Sequence, residues 1–358
     1  MRGLYIHIPF CLSKCAYCDF NSYADKWQFV SEYVSAVLKE AEKFRGQVVD
    51  TVYIGGGTPT ALPEKELCRL LSGITELFDI KKNSEFTVEM NPETADKGYL
   101  SRLRNLGVNR ISMGAQSFDN GLLKTLGRVH TAEKTVEAVK LVKEAGFENI
   151  SIDLMFSLPG QSPAQWQETL EKAVECGVNH ISCYGLKIEE GTAFYEKGIQ
   201  PLPDELDREM YHAAIRFLED KGFFQYEISN FAKPGKESRH NLKYWHCEEY
   251  FGLGAGAHGY LSFDGEFVRN FNVNSVEEYI RLIKEQGNAV CEKTFLTAED
   301  MKIEKIIMGL RLTEGVEENF VRDVEVYING GFMEKKNGKI CFTEKGFDVS
   351  NEILSRMI

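Results

Sequence analysis

The stretch Leu4-Tyr-Ile-His-Ile-Pro-Phe-Cys-Leu-Ser-Lys-Cys-Ala-Tyr-Cys18 joins an alternating strand to a loop that carries Cys11, Cys15 and Cys18. Leu4, Ile6 and Ile8 fall on one face of that strand, and Tyr5 and His7 on the other. Three thiolates at this spacing can hold three irons of a [4Fe–4S] cube and leave the fourth open to a substrate or cofactor. A zinc site would need a fourth cysteine or histidine close by, whereas Asp19-Phe-Asn-Ser22 follows. The remaining cysteines, Cys68, Cys176, Cys183, Cys247, Cys291 and Cys341, are scattered singly and read as core or surface residues. No secretory leader precedes the strand, so reduced thiols and a cytoplasmic setting are expected.

Outward from this stretch the chain alternates short apolar runs with longer amphipathic ones. Leu4–Ile8, Thr51–Gly55, Glu85–Met90, Arg110–Gly114, Ile150–Phe156 and His180–Leu186 read as strands, separated by helical patterns such as Trp27–Arg45 and Thr131–Ala145. Strands alternating with helices predict a parallel α/β sheet with right-handed crossovers. Polar residues mark the carboxyl ends: the cysteine loop after the first strand, Gly55-Gly-Gly-Thr-Pro-Thr60 after the second, Glu89-Met-Asn-Pro92 at the third, Gln116 after the fourth, Asp153 in the fifth and Tyr184 in the sixth. These ends meet on one face only if the sheet curls, so a partial (β/α)6 barrel is expected, with its site at that face.

Composition narrows the function classes. The chain has 358 residues, 43% hydrophobic, with a formal net charge of −12. No apolar run approaches the roughly 20 residues of a membrane span. An acidic balance argues against a nucleic-acid footprint, and no basic amphipathic helix argues for peripheral membrane contact, which stays open together with dimerisation.

Single residues carry alternatives. Gly55–Gly57 either admit a ligand to backbone amides or make a tight turn. Glu89 and Asp153, set in apolar strands, must either pair internally or bind a ligand's hydroxyl or ammonium group. Tyr5 and His7 either face a cofactor or are satisfied core residues.

Together, Tyr5-Ile-His-Ile-Pro9, the cysteine loop, Gly55–Thr60, Val88-Glu89, Ser112-Met-Gly-Ala-Gln116, Arg128 and Ile152-Asp-Leu154 resemble the radical S-adenosylmethionine (SAM) enzymes of the oxygen-independent coproporphyrinogen dehydrogenase superfamily. The resemblance covers nearly the whole chain. It implies a cluster on Cys11, Cys15 and Cys18, SAM on the open iron, an electron-donor protein for the cluster, and SAM contacts from Tyr5, Gly56, Gly57, Thr58, Glu89, Gln116, Arg128 and Asp153. The chain departs from the dehydrogenase at Phe20, where that enzyme has a further cysteine, and in the ten residues before Cys11, where it has a long covering segment. Both departures count against decarboxylation of coproporphyrinogen III, which is the alternative function.

Arg239-His-Asn-Leu-Lys-Tyr-Trp245 resembles the His-Asn-x-x-Tyr-Trp motif of the HemW branch, whose members are regarded as haem chaperones. By that resemblance the protein binds haem through His240, Asn241, Tyr244 and Trp245 and delivers it to acceptor proteins. A histidine can coordinate haem iron, and aromatics can cover the macrocycle, although the same residues could form a surface turn packed on the barrel. The G-x-G-x-x-G match at Gly254, Gly256 and Gly259 is not a dinucleotide fingerprint, because Tyr260–Phe267 reads as a turn-interrupted strand where a helix is required. Its glycines read as sites of close backbone packing, or of approach to SAM or a porphyrin.

The expected organisation is a barrel over residues 1–190, an extension with the haem motif over 191–294, and a winged-helix-like domain over 295–358. In the last, Thr297-Ala-Glu-Asp300 reads as a capped helix start, with a small β wing before a final helix at Gly346–Met357. Its acidic balance points to protein contact rather than DNA.

Overall fold

The structure, a computed structural model, describes residues 1–263 and 265–358. Six parallel strands follow one another in both sequence and sheet order: β1 (Arg2–Ile8), β2 (Val48–Gly56), β3 (Asp79–Met90), β4 (Arg110–Gln116), β5 (Asn149–Phe156) and β6 (His180–Gly185). Their alternation sorts the side chains. Leu4, Ile6, Ile8, Val52, Ile54 and Val88 are buried in one continuous core, into which the helices Val30–Ala41 and Glu64–Leu77 also bury Val34, Val37, Leu67, Leu70, Leu71 and Ile74. Three- and four-residue spacings give each helix a single apolar face.

The sheet does not stop at six strands. Beyond β6 lie β7 (Phe224–Gln225) and β8 (Asn230–Ala232), and beyond β1 lie β9 (Tyr250–Leu253), β10 (His258–Phe263), β11 (Glu266–Asn272) and β12 (Val290–Leu296). β9 runs parallel to β1, whereas β10, β11 and β12 return antiparallel. The open edges are β12 and β7, so the barrel is partial, as expected.

The glycine run makes this extension possible. A Cβ on Gly254 would stand 2.6 Å from the carbonyl oxygen of His7 and from the Tyr33 hydroxyl, and Gly254 has φ of +98°. Close approach to β1 thus requires glycine there. The buried Glu40 fastens the run, accepting from Gly254 N and the Tyr279 hydroxyl with one oxygen and from Asn272 Nδ2 with the other. A strand pair, not a helix, follows, although Asp264 at the expected turn lies outside the described residues.

The last part of the chain has its own core of Ile306, Leu310, Val316, Met333, Ile340, Phe342, Ile353 and Leu354. Three short strands, β13 (Val316–Glu317), β14 (Met333–Lys336) and β15 (Lys339–Phe342), form its sheet in the order β13-β15-β14. Its first helix starts at the expected capping box, with Thr297 and Asp300 bonding reciprocally. The expected final helix is two, Glu344–Asp348 and Ser350–Met357, because Val349 leaves helical geometry at ψ 18°. Among the described residues no helix is long and apolar enough to cross a membrane.

Candidate functional site

The carboxyl ends of the parallel strands surround the cysteine loop. Each cysteine sulfur has its own polar neighbour. The Thr58 hydroxyl donates to Cys11 Sγ at 3.6 Å, an Arg128 guanidinium nitrogen donates to Cys15 Sγ at 3.3 Å, and Ser22 Oγ lies 3.9 Å from Cys18 Sγ. Donors of this kind stabilise thiolate charge and tune a cluster's potential. Gly57 leaves the room, since a Cβ there would stand 3.0 Å from Cys11 Sγ and 2.7 Å from the Phe10 carbonyl oxygen. Burial pushes the Cys11 and Cys18 thiols up, and the neighbouring Cys15 adds to the rise of both. Among the described residues no three His, Cys, Asp or Glu side chains converge on a single ion. A cube offers each thiolate a separate iron, so this half-buried set, with donors on Cys11 and Cys15, suits one.

Arg128 is the brace of the loop. Its second terminal nitrogen donates at 2.7 Å to both Asn91 Oδ1 and the Gly114 carbonyl, tying Cys15 to the ends of β3 and β4. Lys14 donates to the carbonyls of Phe20 and Ser22 and closes the loop on itself.

Two cavities flank the loop. The first, about 810 Å3, is lined by Tyr5, Gly56, Glu89, Tyr244, Tyr250 and His258 among others. The second, about 730 Å3, is lined by Cys18, Gln116, Asp153, Tyr184, Asp207 and Tyr211 among others. Asp19 and Phe20 line both, and Phe20 is 65% exposed.

In the first cavity, Glu89 accepts from the Tyr53 hydroxyl at 2.7 Å and from Gly56 N at 2.9 Å. Burial nevertheless raises its carboxyl to about 7, with the nearby Asp153 charge adding to the rise. Asp153 is also raised by burial and accepts from Ser182 Oγ at 2.7 Å. Tyr5 is held by His7. Because His7 Nε2 must donate to the Asn21 carbonyl, Nδ1 is left to accept from the Tyr5 hydroxyl at 2.9 Å. Gln116 has φ of +67°, at a bulge where β4 slips against β5, and this aims it at the second cavity. Such strain in a side-chain-bearing residue is typical of a working site.

The haem-motif residues are split apart. His240 lies inside the barrel at 0% exposure, with Nδ1 bonded to Thr51 Oγ1 and Nε2 to the Tyr244 hydroxyl, each at 2.8 Å, and its ring stacks on Tyr53. Both ring nitrogens are taken, so in this arrangement neither is free to coordinate iron. The cause is the docking of the short helix Arg239–Trp245 under the sheet. The buried Glu85 accepts from the backbone N–H groups of Arg239 and His240, and Ser238 caps the same end through Asn241 N. Tyr244 reaches the first cavity, whereas Trp245 lines a separate cleft beside Glu314 and Lys339.

Residues 5–173 match the radical SAM superfamily. The chain is 42% identical to the heme chaperone HemW of Bacillus subtilis, over all of this chain and 99% of that protein. With the heme chaperone HemW of Lactococcus lactis the identity is 35%, over all of this chain and 97% of the relative. The chain belongs to the HemW family of radical SAM proteins. Its fold is also that of HemN, the coproporphyrinogen III oxidase of Escherichia coli, with a TM-score of 0.85 over 99% of this chain and 89% of that one, at 23% identity.

For a HemW-family chain, the sequence motifs lead straight to the cysteine loop and the strand ends. They do not lead to the braces: Lys14, Asn21 and Ser182 carry no pattern of their own, and only their contacts show what they hold. His258, on the wall of the first cavity, lies within the glycine run, whose sequence singles out the glycines and not the histidine between them.

Proposed function

We propose that this protein takes up haem and hands it to acceptor proteins, and that it carries a [4Fe–4S] cluster on Cys11, Cys15 and Cys18 with SAM on the open iron. One observation carries the haem reading: an aromatic-walled cavity of about 810 Å3 adjoins the cysteine loop, in a chain 42% identical along its whole length to a heme chaperone. That volume lies within the range of sites for large organic ligands.

The residues divide the work. Tyr5, Gly56 and Glu89, which line the first cavity, and Gln116 and Asp153, which line the second, would hold SAM, while Gly57, Thr58 and Arg128 hold the cysteine loop. Reduced and loaded with SAM, the cluster supplies radical chemistry, and an electron-donor protein would be needed to reduce it. Tyr244, fixed by its bond to His240, offers the macrocycle an aromatic wall. Asn241 N donates to the Ser238 cap of the Arg239–Trp245 helix, and Trp245 lines the separate cleft.

The test is direct. Anaerobically reconstituted protein is loaded with ferric haem and mixed with an apo haem protein, following the Soret band of each. One haem per chain, passed on to the acceptor, is expected. Failure to bind haem would refute the reading, as would decarboxylated product when the same preparation receives SAM, a reductant and coproporphyrinogen III.

A further inference from the structure

Of the seven histidines in the chain, six are engaged. His7, His180 and His240 have both ring nitrogens hydrogen bonded. His130 donates to the Ala115 carbonyl, His212 lies between Glu344 and Asp348, and His246 faces Glu314 at 3.6 Å. The seventh, His258, is different. Among the described residues neither of its ring nitrogens has a hydrogen-bond or ion-pair partner, and the exposed side chain lines the first cavity.

The ring is nevertheless oriented. His258 stands on β10 directly opposite Phe271 of β11, and the two rings stack at 4.4 Å between centroids with 21° between planes. A ligand carried on paired strands is held more rigidly than one on a loop. Tyr244 and Tyr250 give the same cavity flat apolar walls, and Lys14 supplies a cation at its loop side. A free imidazole, aromatic faces and an ammonium group are the three features a haem needs, for its iron, its macrocycle and its propionates respectively.

We propose that His258, rather than His240, is the protein ligand to haem iron, and that haem lies on the β9–β11 side of the first cavity. This rests on the haem reading above and assigns its site. The cargo would then share a cavity with Tyr5, Gly56 and Glu89, while His240 acts only through Tyr244.

The experiment titrates ferric haem into the full chain, as wild type, His258→Ala and His240→Gln, and reads the dissociation constant and the Soret and resonance Raman signature of the axial ligand. Far-UV circular dichroism and iron content check that each variant is folded and loaded alike. His258→Ala is expected to weaken binding by about tenfold or more and to lose the histidine signature, as removal of a metal ligand does. Added imidazole should restore that signature in His258→Ala, and His240→Gln should keep it throughout. An unchanged dissociation constant and spectrum in His258→Ala would overturn the assignment and leave haem binding standing. Weakened binding that imidazole does not restore would overturn it too, reducing His258 to part of the wall. A wild-type protein that binds no haem refutes the haem reading itself.

Discussion

Lowering the pH should destabilise this protein through His240, by an amount that follows from its burial. Enclosed between Thr51, Tyr53 and Tyr244, the ring cannot accept a proton without losing an acceptor nitrogen and placing a charge in the core, and burial lowers its pKa from 6.5 to about 3. The unfolded chain has no such restriction and takes up the proton below about 6.5. Because the folded value is the lower one, the stabilisation is whole above about pH 6.5 and is lost progressively as the pH falls toward 3. At pH 5 the unfolded state lies about 1.5 units below its own pKa, which costs the fold about 2 kcal/mol relative to pH 7. His7 and His180 are lowered too and act with the same sign, so the measurement must be a difference. Glutamine at position 240 keeps a donor and an acceptor but has no proton to take up. Urea unfolding of wild type and His240→Gln, at pH 7 and pH 5 with equal cluster loading, should show the wild type losing about 2 kcal/mol more than the variant. Equal losses would refute the reasoning and would mean that the ring reaches solvent.

Three further outcomes are expected. Cys15→Ser should lower iron and sulfide content after reconstitution to a small fraction of wild type; full iron retention would remove Cys15 from the ligand set. Arg128→Lys keeps the charge but not the fork that joins Cys15, Asn91 and Gly114, and should cost about 1–3 kcal/mol and lower the cluster potential, read by thermal unfolding and a redox titration. Glu89 becomes a carboxylate only above about 7, so SAM binding measured by calorimetry should strengthen between pH 6 and pH 8 in wild type and stay flat in Glu89→Gln. A parallel pH dependence in both proteins would place the titrating group elsewhere.

What the sequence made legible has a physical pattern. The six parallel strands are long enough for side-chain alternation to appear, and the residues at their ends are polar in apolar surroundings, so both fold and cysteine loop could be read. β7, β8 and β9 have two to four residues each, too few for a period, and nothing local says that β9 lies parallel to β1. The His240 segment illustrates a deeper limit. A motif gives residue types in order, yet whether an imidazole is free depends on Thr51, which lies 189 positions away in the chain. His258 is the converse: in sequence it belongs to a glycine-rich packing run, and only the pairing of β10 with β11 turns it toward the cavity.

Asp19 and Phe20 form a party wall: the same two residues bound the chamber that holds Tyr244 and the chamber that holds Asp153. A guest that displaces the Phe20 ring on one side therefore alters the volume and the wetness of the other, and it does so one residue from Asp19 and two from Cys18. Cargo that binds more tightly beside a reduced cluster must, to the same degree in free energy, make the cluster easier to reduce.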